Sequence, residues 1–302
     1  MQKKIAVLGH QHITKFVLEN FIKNKINVDT IIGLDNSNSK GVSDFFDVKQ
    51  YAKLNKINFF MPDKYSLKST KCFNFFKKSN FDYLFVVGWS RLVPAEILSF
   101  INISTVGWHG GPYKPPRCRG RAVVNWAIID GKKKFYVYAM SLKPGVDDGD
   151  LYKIDNVFIN EHDNSKTAYF KMGIKVAEIY IEILKKNLKP FPQPKGKPTY
   201  LPKRSPENSG INWNQNIDDL YNFIRALSDP YPNAYTYMQN VKIDIKDAIP
   251  FEENKKRKPG HIYHIFHDSS FTVGCKNGLL LVKKYSCGKD LDFNINDKFV
   301  IK

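Results

Sequence analysis

An α/β fold is what this sequence predicts: a doubly wound, mainly parallel sheet followed by a small, barrel-like β-rich domain. Three observations carry the prediction. Short apolar runs alternate with amphipathic segments through the first half of the chain. One of those runs, residues 82–87, is apolar almost throughout, the mark of a strand buried on both faces of a parallel sheet. After a proline-dense stretch, the pattern changes to short strands separated by turn residues.

Taken in order, residues 5–9 read as a buried strand and 14–23 as an amphipathic helix. Residues 29–34 give a second strand and 47–55 a second helix. A short strand follows at 58–60, a helix at 69–78, and the central strand at 82–87. Such alternation argues for right-handed crossovers and a Rossmann-like sheet. The turn after the first strand holds Gly9 alone, so the three-glycine dinucleotide fingerprint is missing and nicotinamide binding is disfavoured. Further strands are expected at 101–106 and 135–142. From 167 to 186 the apolar residues Tyr169, Ile174, Val176, Ala177, Ile179 and Ile183 fit a long helix. Pro190, Pro192, Pro194, Pro198 and Pro202 then forbid a helix or a central strand, so 190–202 reads as an extended linker. Beyond it come a helix at 217–227, with Asn214 or Asn216 as cap, and short strands near 235–238, 261–266, 270–273 and 279–282. The expected division is a catalytic domain over 1–188, a linker over 189–206 and a small α+β domain over 207–302.

Composition narrows the class. Apolar residues make up 42% of the chain, which puts it among globular proteins and not disordered ones. No apolar run reaches the roughly 20 residues of a membrane span, and residues 5–8 enter a strand with no signal-peptide pattern ahead of them. Cys72, Cys118, Cys275 and Cys287 lie far apart without a CxxC pair, so zinc and a disulfide framework are not indicated. A cytoplasmic enzyme is the expectation. The net charge of +18 invites a nucleic-acid reading, but the lysines are scattered and only Lys255-Lys256-Arg257-Lys258 is dense. A solvated surface is favoured, with attraction of a phosphorylated substrate as a compatible extra.

The chemistry concentrates in three segments. Gly107-Trp108-His109-Gly110-Gly111 places a histidine just past the strand at 101–106. Pro116-Arg117-Cys118-Arg119-Gly120 follows. Gly145-Val146-Asp147-Asp148-Gly149-Asp150 places an aspartate in a turn after the strand at 135–142. An open sheet builds its crevice at such strand ends, and a histidine serving as a proton acceptor gains from an orienting carboxylate.

These segments, with residues 82–92, Arg119-Gly120-Arg121-Ala122 and Trp126, resemble the formyltransferases that use 10-formyltetrahydrofolate. Past the linker, Lys203-Arg204-Ser205-Pro206-Glu207 and the run from Ile224 through Ser228-Asp229-Pro230-Tyr231-Pro232 are similar to bacterial nucleotide-sugar (amino-sugar) N-formyltransferases. The resemblance covers most of the chain in the right order. It implies transfer of a formyl group to an amine, with His109 as the base and Asp147 fixing the histidine tautomer and supporting its charged form. It also implies an asparagine oxyanion donor two residues before the histidine, where this chain has Gly107. Charged His109 and backbone amides freed by Gly110 and Gly111 are expected to replace it. The folate pocket is carried over onto Trp89, Ser90, Arg91, Leu92 and Val93 as one wall and Leu142 through Asp147, including Val146, as the other. Trp89 and Arg91 are expected to be exposed there, while Leu92 and Val93 are alternatively the packed start of a helix.

Other candidates carry plainer readings. His261, His264 and His267 alternate faces on a strand and cannot converge on one metal ion. Asp148 and Asp150 suit a capped turn better than magnesium, and no metal is expected. His10 follows the first strand and could reach the cleft. Trp126 lies on an apolar helical stripe with Val123 and Ile129. Lys203, Arg204, Trp213, Tyr231 and Tyr235 are the place to look for the acceptor, because a nucleotide-linked sugar needs cations and flat apolar surface. The function implied is N-formylation of a dTDP-, UDP- or GDP-linked amino sugar for a surface polysaccharide or glycan. Methionyl-tRNA formylation is the alternative, weakened because residues 33–44 lack the arginine-rich loop associated with those enzymes. A non-catalytic folate or nucleotide-sugar binding protein is a third reading. The small β domain is a plausible dimer element.

Overall fold

The computed structural model describes residues 3–39, 41–229, 231–289 and 291–300. Pro230, part of the motif that follows Ser228, lies outside them. The chain divides into two compact units. One comprises Met1–Gly120, Lys134–Val157 and Tyr169–Leu201, and the other Arg121–Lys133, Phe158–Ala168 and Pro202–Lys302.

The first unit opens with β1 (Ile5–Leu8), α1 (His12–Lys23), β2 (Thr30–Ile32), α2 (Val48–Leu54), β3 (Asn58–Phe60), α3 (Thr70–Ser79) and β4 (Tyr83–Val86). The helix starts follow from their capping residues. Asp47 accepts from the amides of Lys49 and Gln50 ahead of α2, and Ser69 accepts from that of Cys72 ahead of α3. All four residues of β4 are buried, as its apolar run predicts. A short α4 (Ala95–Ser99) follows, with Pro94 in its N-cap position.

Next along the chain come β5 (Ser104–Gly111), the two-residue β6 (Arg119–Gly120), α5 (Val123–Ile129), which belongs to the second unit, β7 (Lys134–Ser141), β8 (Asp150–Phe158) and α6 (Ser165–Lys185). The sheet order is β3-β2-β1-β4-β5-β7-β8. Pairing is parallel from β3 across to β5 and antiparallel between β5 and β7. This is the mainly parallel, doubly wound sheet the alternation predicts, and its strand order reverses between β1 and β4.

One expectation changes here. The strand at 101–106 was to end before the histidine, but β5 runs through the whole Gly-Trp-His-Gly-Gly segment. Gly107, His109 and Gly111 pair with Met140, Tyr138 and Tyr136 of β7. The missing side chains make that pairing possible. A Cβ on Gly110 would collide with the ring of Phe135 and the carbonyl of Tyr136. Residues of β7 thus fill the space above Gly110, and the segment is extended sheet.

The proline-dense stretch is not a bare linker either. Phe191 exchanges two backbone hydrogen bonds with Leu151, at 2.7 and 2.8 Å. β9 (Tyr200–Leu201) pairs in parallel with β6.

In the second unit, α7 (Ile217–Ala226) starts after Asn216, whose side chain makes no cap bond. β10 (Ala234–Met238), β11 (Val241–Glu253), β12 (Ile262–Ile265), β13 (Phe271–Cys275) and β14 (Gly278–Cys287) form an antiparallel sheet in the order β10-β11-β14-β13-β12. The sequence reading missed β8 and the 13-residue β11; the latter carries Pro250 and register shifts that blur its alternation. Ile217, Leu220 and Ile224 of α7 join Ile243, Ile245, Phe271, Val273 and Leu280 in the core of this unit. No helix among the described residues is long and apolar enough to cross a membrane.

Candidate active site

His109 sits near the end of β5 with 9% of its surface exposed. Its Nε2 lies 2.9 Å from the carbonyl oxygen of Cys118. A carbonyl only accepts, so Nε2 carries the proton and Nδ1 keeps the lone pair in the neutral ring. Asp147 Oδ2 is 3.6 Å from the same nitrogen. That is ion-pair range and too long for a hydrogen bond. The tautomer is therefore set by Cys118, not by Asp147 as the resemblance implied. The Asp147 carboxylate stands ready to support the ring once it is charged. Behind the imidazole, Tyr138 packs edge-on at 5.8 Å between centroids. Burial pushes its phenol well above the usual range, so it adds no charge.

Asp147 is held from several sides. Its Oδ2 accepts from the Gly120 amide at 2.9 Å. Its carbonyl and that of Gly149 accept from Gln193 Nε2 at 2.8 and 2.9 Å. Asp147, Cys118 and Ala122 all have φ between 50° and 61°. Left-handed backbone is uncommon for residues other than glycine, and such strain collects at functional sites. Sequence reasoning singled out the segment from Pro116 to Gly120 without giving Cys118 or Gly120 a role, because they act through backbone groups that leave no side-chain signature, and it missed Gln193.

Gly107 faces Leu142. A Cβ there would stand 2.5 Å from Leu142 Cδ2, so the half-buried Leu142 takes the space an asparagine would use. Room at Gly110 and Gly111 is likewise taken by the protein, by β7 in one case and by Cys118 in the other, which gives both glycines a packing role.

The loop after β4 divides. Trp89, expected to be exposed, is buried at 9%, packed T-shaped on Tyr65 at 4.7 Å with its Nε1 unpartnered. Its large apolar ring joins the core that also takes Val93. Ser90, Arg91 and Leu92 are exposed, and Arg91 lies over Tyr65 at 5.3 Å. Leu92, Val93 and Pro144 line a cavity of about 890 Å³ with Lys64, Lys68 and Lys71. His109 and Asp147 are not among its lining residues. Val146 is exposed on the opposing loop.

His10 does not reach an open cleft. It is fully buried among Phe45, Tyr65 and Trp89, and neither ring nitrogen has a partner among the described residues. Burial lowers its pKa to about 4, so the ring is neutral at physiological pH.

Lys203, Arg204, Tyr231 and Tyr235 belong to the second unit. Lys203 is exposed. The Arg204 guanidinium lies over Trp126 at 4.9 Å and Phe223 at 5.5 Å. Trp126 is half-buried and donates to the Pro202 carbonyl at 2.9 Å. Trp213, by contrast, is core. Tyr231 is half-buried, its amide bonded to the Ser228 carbonyl. The Tyr235 hydroxyl donates to the Glu207 carbonyl at 3.3 Å. Among the described residues, no group of three His, Cys, Asp or Glu side chains could hold a metal ion. Asp150 instead pairs with Lys143 at 2.9 Å.

Comparison with known proteins assigns both parts of the chain. The family model described as formyl transferase matches residues 3–184, and that of the formyl transferase C-terminal domain matches 203–294. Methionyl-tRNA formyltransferase from Acetivibrio thermocellus is 29% identical over 242 residues, covering 78% of this chain and 76% of that protein. Among solved structures, HypX from Aquifex aeolicus in complex with tetrahydrofolic acid is similar with a TM-score of 0.67 at 18% identity. It covers 96% of this chain, which spans only 45% of HypX. The N-formyltransferase from Helicobacter canadensis, in complex with folinic acid and dTDP-3-aminofucose, has a TM-score of 0.66 at 17% identity. That match covers 94% of this chain and 100% of the other.

Proposed function

This chain belongs to the formyl transferase family, and on that premise we propose that it moves a formyl group from 10-formyltetrahydrofolate to the amine of an amino sugar carried on a nucleoside diphosphate. The observation that carries the reading is His109, its Nε2–H held by the Cys118 carbonyl and Asp147 beside it. The amine nitrogen attacks the formyl carbon and a tetrahedral oxyanion forms. The amine's proton passes to Nδ1, the one ring nitrogen with a lone pair. Asp147 stabilises the imidazolium that results, and the proton leaves with the folate nitrogen as the C–N bond to the carrier breaks. With Gly107 in the asparagine's place, the charged ring and backbone amides stabilise the oxyanion.

The folate lies along Ser90, Arg91, Leu92 and Val93, with Trp89 packed behind them, and along the loop from Leu142 to Asp147. Lysines 64, 68 and 71 in the adjoining cavity suit the carboxylates of its glutamate. Lys203, Arg204, Tyr231 and Tyr235 are the acceptor-side candidates, with His10, Gly110 and Gly111 supporting the site through packing. The sugar acceptor is favoured by a likeness that spans the whole of a sugar-active enzyme, and by residues 33–44, which hold one lysine and no arginine.

A second reading, formylation of methionyl-tRNA, is favoured by the sequence relatives and by the net charge of +18. One experiment separates the two. Release of tetrahydrofolate is measured with 10-formyltetrahydrofolate and a panel of dTDP-, UDP- and GDP-linked amino sugars, beside aminoacylated initiator tRNA. Turnover with a sugar alone is the expected outcome. Turnover with the tRNA alone replaces the acceptor, and none with either, at any enzyme concentration, sinks the enzymatic reading.

A further inference from the structure

The segment between α6 and the second unit looks disposable in the sequence, yet it reaches the candidate site. Across residues 189–200 every side chain is exposed except one, Gln193. Its amide is fully used. Nε2 donates to the carbonyls of Asp147 and Gly149 at 2.8 and 2.9 Å, and Oε1 accepts from Arg119 Nη2 at 2.9 Å. Two carbonyls on one end and a guanidinium on the other permit only this orientation of the amide.

The partners matter more than the count. Asp147 has φ +50°, a conformation its turn must be held in. Arg119 immediately precedes Gly120, whose amide bonds the Asp147 carboxylate, and follows Cys118, whose carbonyl holds His109. Gln193 thus ties the backbone of the carboxylate's turn to the strand that presents the carboxylate's donor. The strap itself is anchored without Gln193. Phe191 bonds Leu151, the Arg119 amide donates to the Thr199 carbonyl at 2.8 Å, and the Cys118 amide donates to Thr199 Oγ1 at 3.0 Å.

We infer that Gln193 is a positioning residue that sets the distance between Asp147 and His109, and that the proline-rich strap is part of the catalytic apparatus. This rests on His109 and Asp147 acting as the proton-handling pair. Prolines suit such a strap, because they stiffen it and need no ladder partners. Gln193 is then the strap's side chain that reaches the carboxylate's turn, while Thr199 anchors the strap at Cys118.

The test is Gln193→Leu, which keeps the volume and removes all three hydrogen bonds without adding charge. Amide hydrogen exchange needs no substrate, so it reads the inference apart from the proposed reaction. Exchange at the Gly120 amide is expected to quicken about tenfold or more, as in Asp147→Ala, while exchange in β4 stays unchanged. In formyl transfer, kcat is expected to fall about ten- to a hundredfold with the folate KM within twofold, since a small misplacement near the chemistry is costly. The double variant with Asp147→Ala is expected to be no slower than Asp147→Ala alone. Retained Gly120 protection in Gln193→Leu, or additive losses in the double variant, overturns the inference. Should Gln193→Leu fail to fold, Arg119→Lys releases Gln193 from its other end with the charge kept. The same quickening at Gly120 is expected there, and its absence is equally fatal.

Discussion

His109 and Asp147 stand 3.6 Å apart, yet the two are held by different means. His109 is carried by a strand that pairs with β4 as far as Gly107 and with β7 through His109 to Gly111, in a sheet whose glycines are closed over by neighbouring residues. Asp147 is carried by a turn in left-handed backbone, fixed by a few hydrogen bonds from Gly120 and Gln193. The base therefore has the rigidity of the fold, and the carboxylate only that of its local bonds. Chemistry placed on a sheet tolerates distant change, whereas a residue placed by two or three side-chain bonds does not.

The largest expected effect tests whether the two groups differ in weight as well as in support. His109→Asn removes the proton acceptor, and kcat for formyl transfer is expected to fall about 10²- to 10⁴-fold. Asp147→Asn is expected to cost less, because the Cys118 carbonyl keeps the imidazole's Nε2–H in place without it. Steady-state kinetics on both variants decides. If Asp147→Asn is as slow as His109→Asn, the carboxylate does more than support the charged ring.

Much of the strand-borne half was legible in the sequence, and little of the turn-borne half. The apolar run at 82–87 announced its strand, because burial acts through residue type, whereas the caps Asp47 and Ser69 became visible only in the structure. His109 and Asp147 stood out by their places after expected strands, and the family pattern gave them their roles. The limits of β5 were misread since glycines carry no period; what fixes them is Phe135, Tyr136 and Tyr138 across the ladder. Trp89 was expected at the surface because its place after a central strand suggests a rim, but Tyr65 and His10 arrive from elsewhere to cover it. Gln193 lay hidden because hydrogen bonds to carbonyls of Asp147 and Gly149 depend on distant backbone, which no local pattern encodes.

A second histidine sharpens the contrast between a supported imidazole and an unsupported one. His10 also follows a strand of the same sheet, but neither ring nitrogen has a partner among the described residues, and burial lowers its pKa to about 4. The unfolded chain, with an ordinary value near 6.5, binds a proton that the folded chain refuses. His10 thus favours folding fully above pH 6.5, and that contribution is lost as the pH falls from 6.5 to 4. The loss amounts to about 3 kcal/mol, at roughly 1.4 kcal/mol per unit. Urea unfolding at pH 7 and pH 4.5 of the wild type and of His10→Phe measures it. Carboxylates contribute to both proteins, so the difference between the two slopes isolates His10. Equal slopes would mean the buried ring is solvated or paired in solution.

The smallest effect concerns Gly107, on the strand-borne side but facing the turn. Its missing side chain is compensated by Leu142, the first residue after β7, which lies where an asparagine would reach. Gly107→Asn must push aside the flexible end of Leu142 and not backbone, so its cost is expected to be about 1–3 kcal/mol in stability, without loss of the fold. In the double variant with Leu142→Ala, the destabilisation is expected to be less than the sum of the two single changes, because each makes room for the other. Chemical denaturation of the four proteins gives the coupling. A negative interaction energy places Leu142 as the occupant of the oxyanion donor's position, and formyl transfer by the double variant then reports whether an amide there adds rate. Strict additivity would instead mean that β5 and the turn do not share that space, and that the site has no room kept for a donor at Gly107.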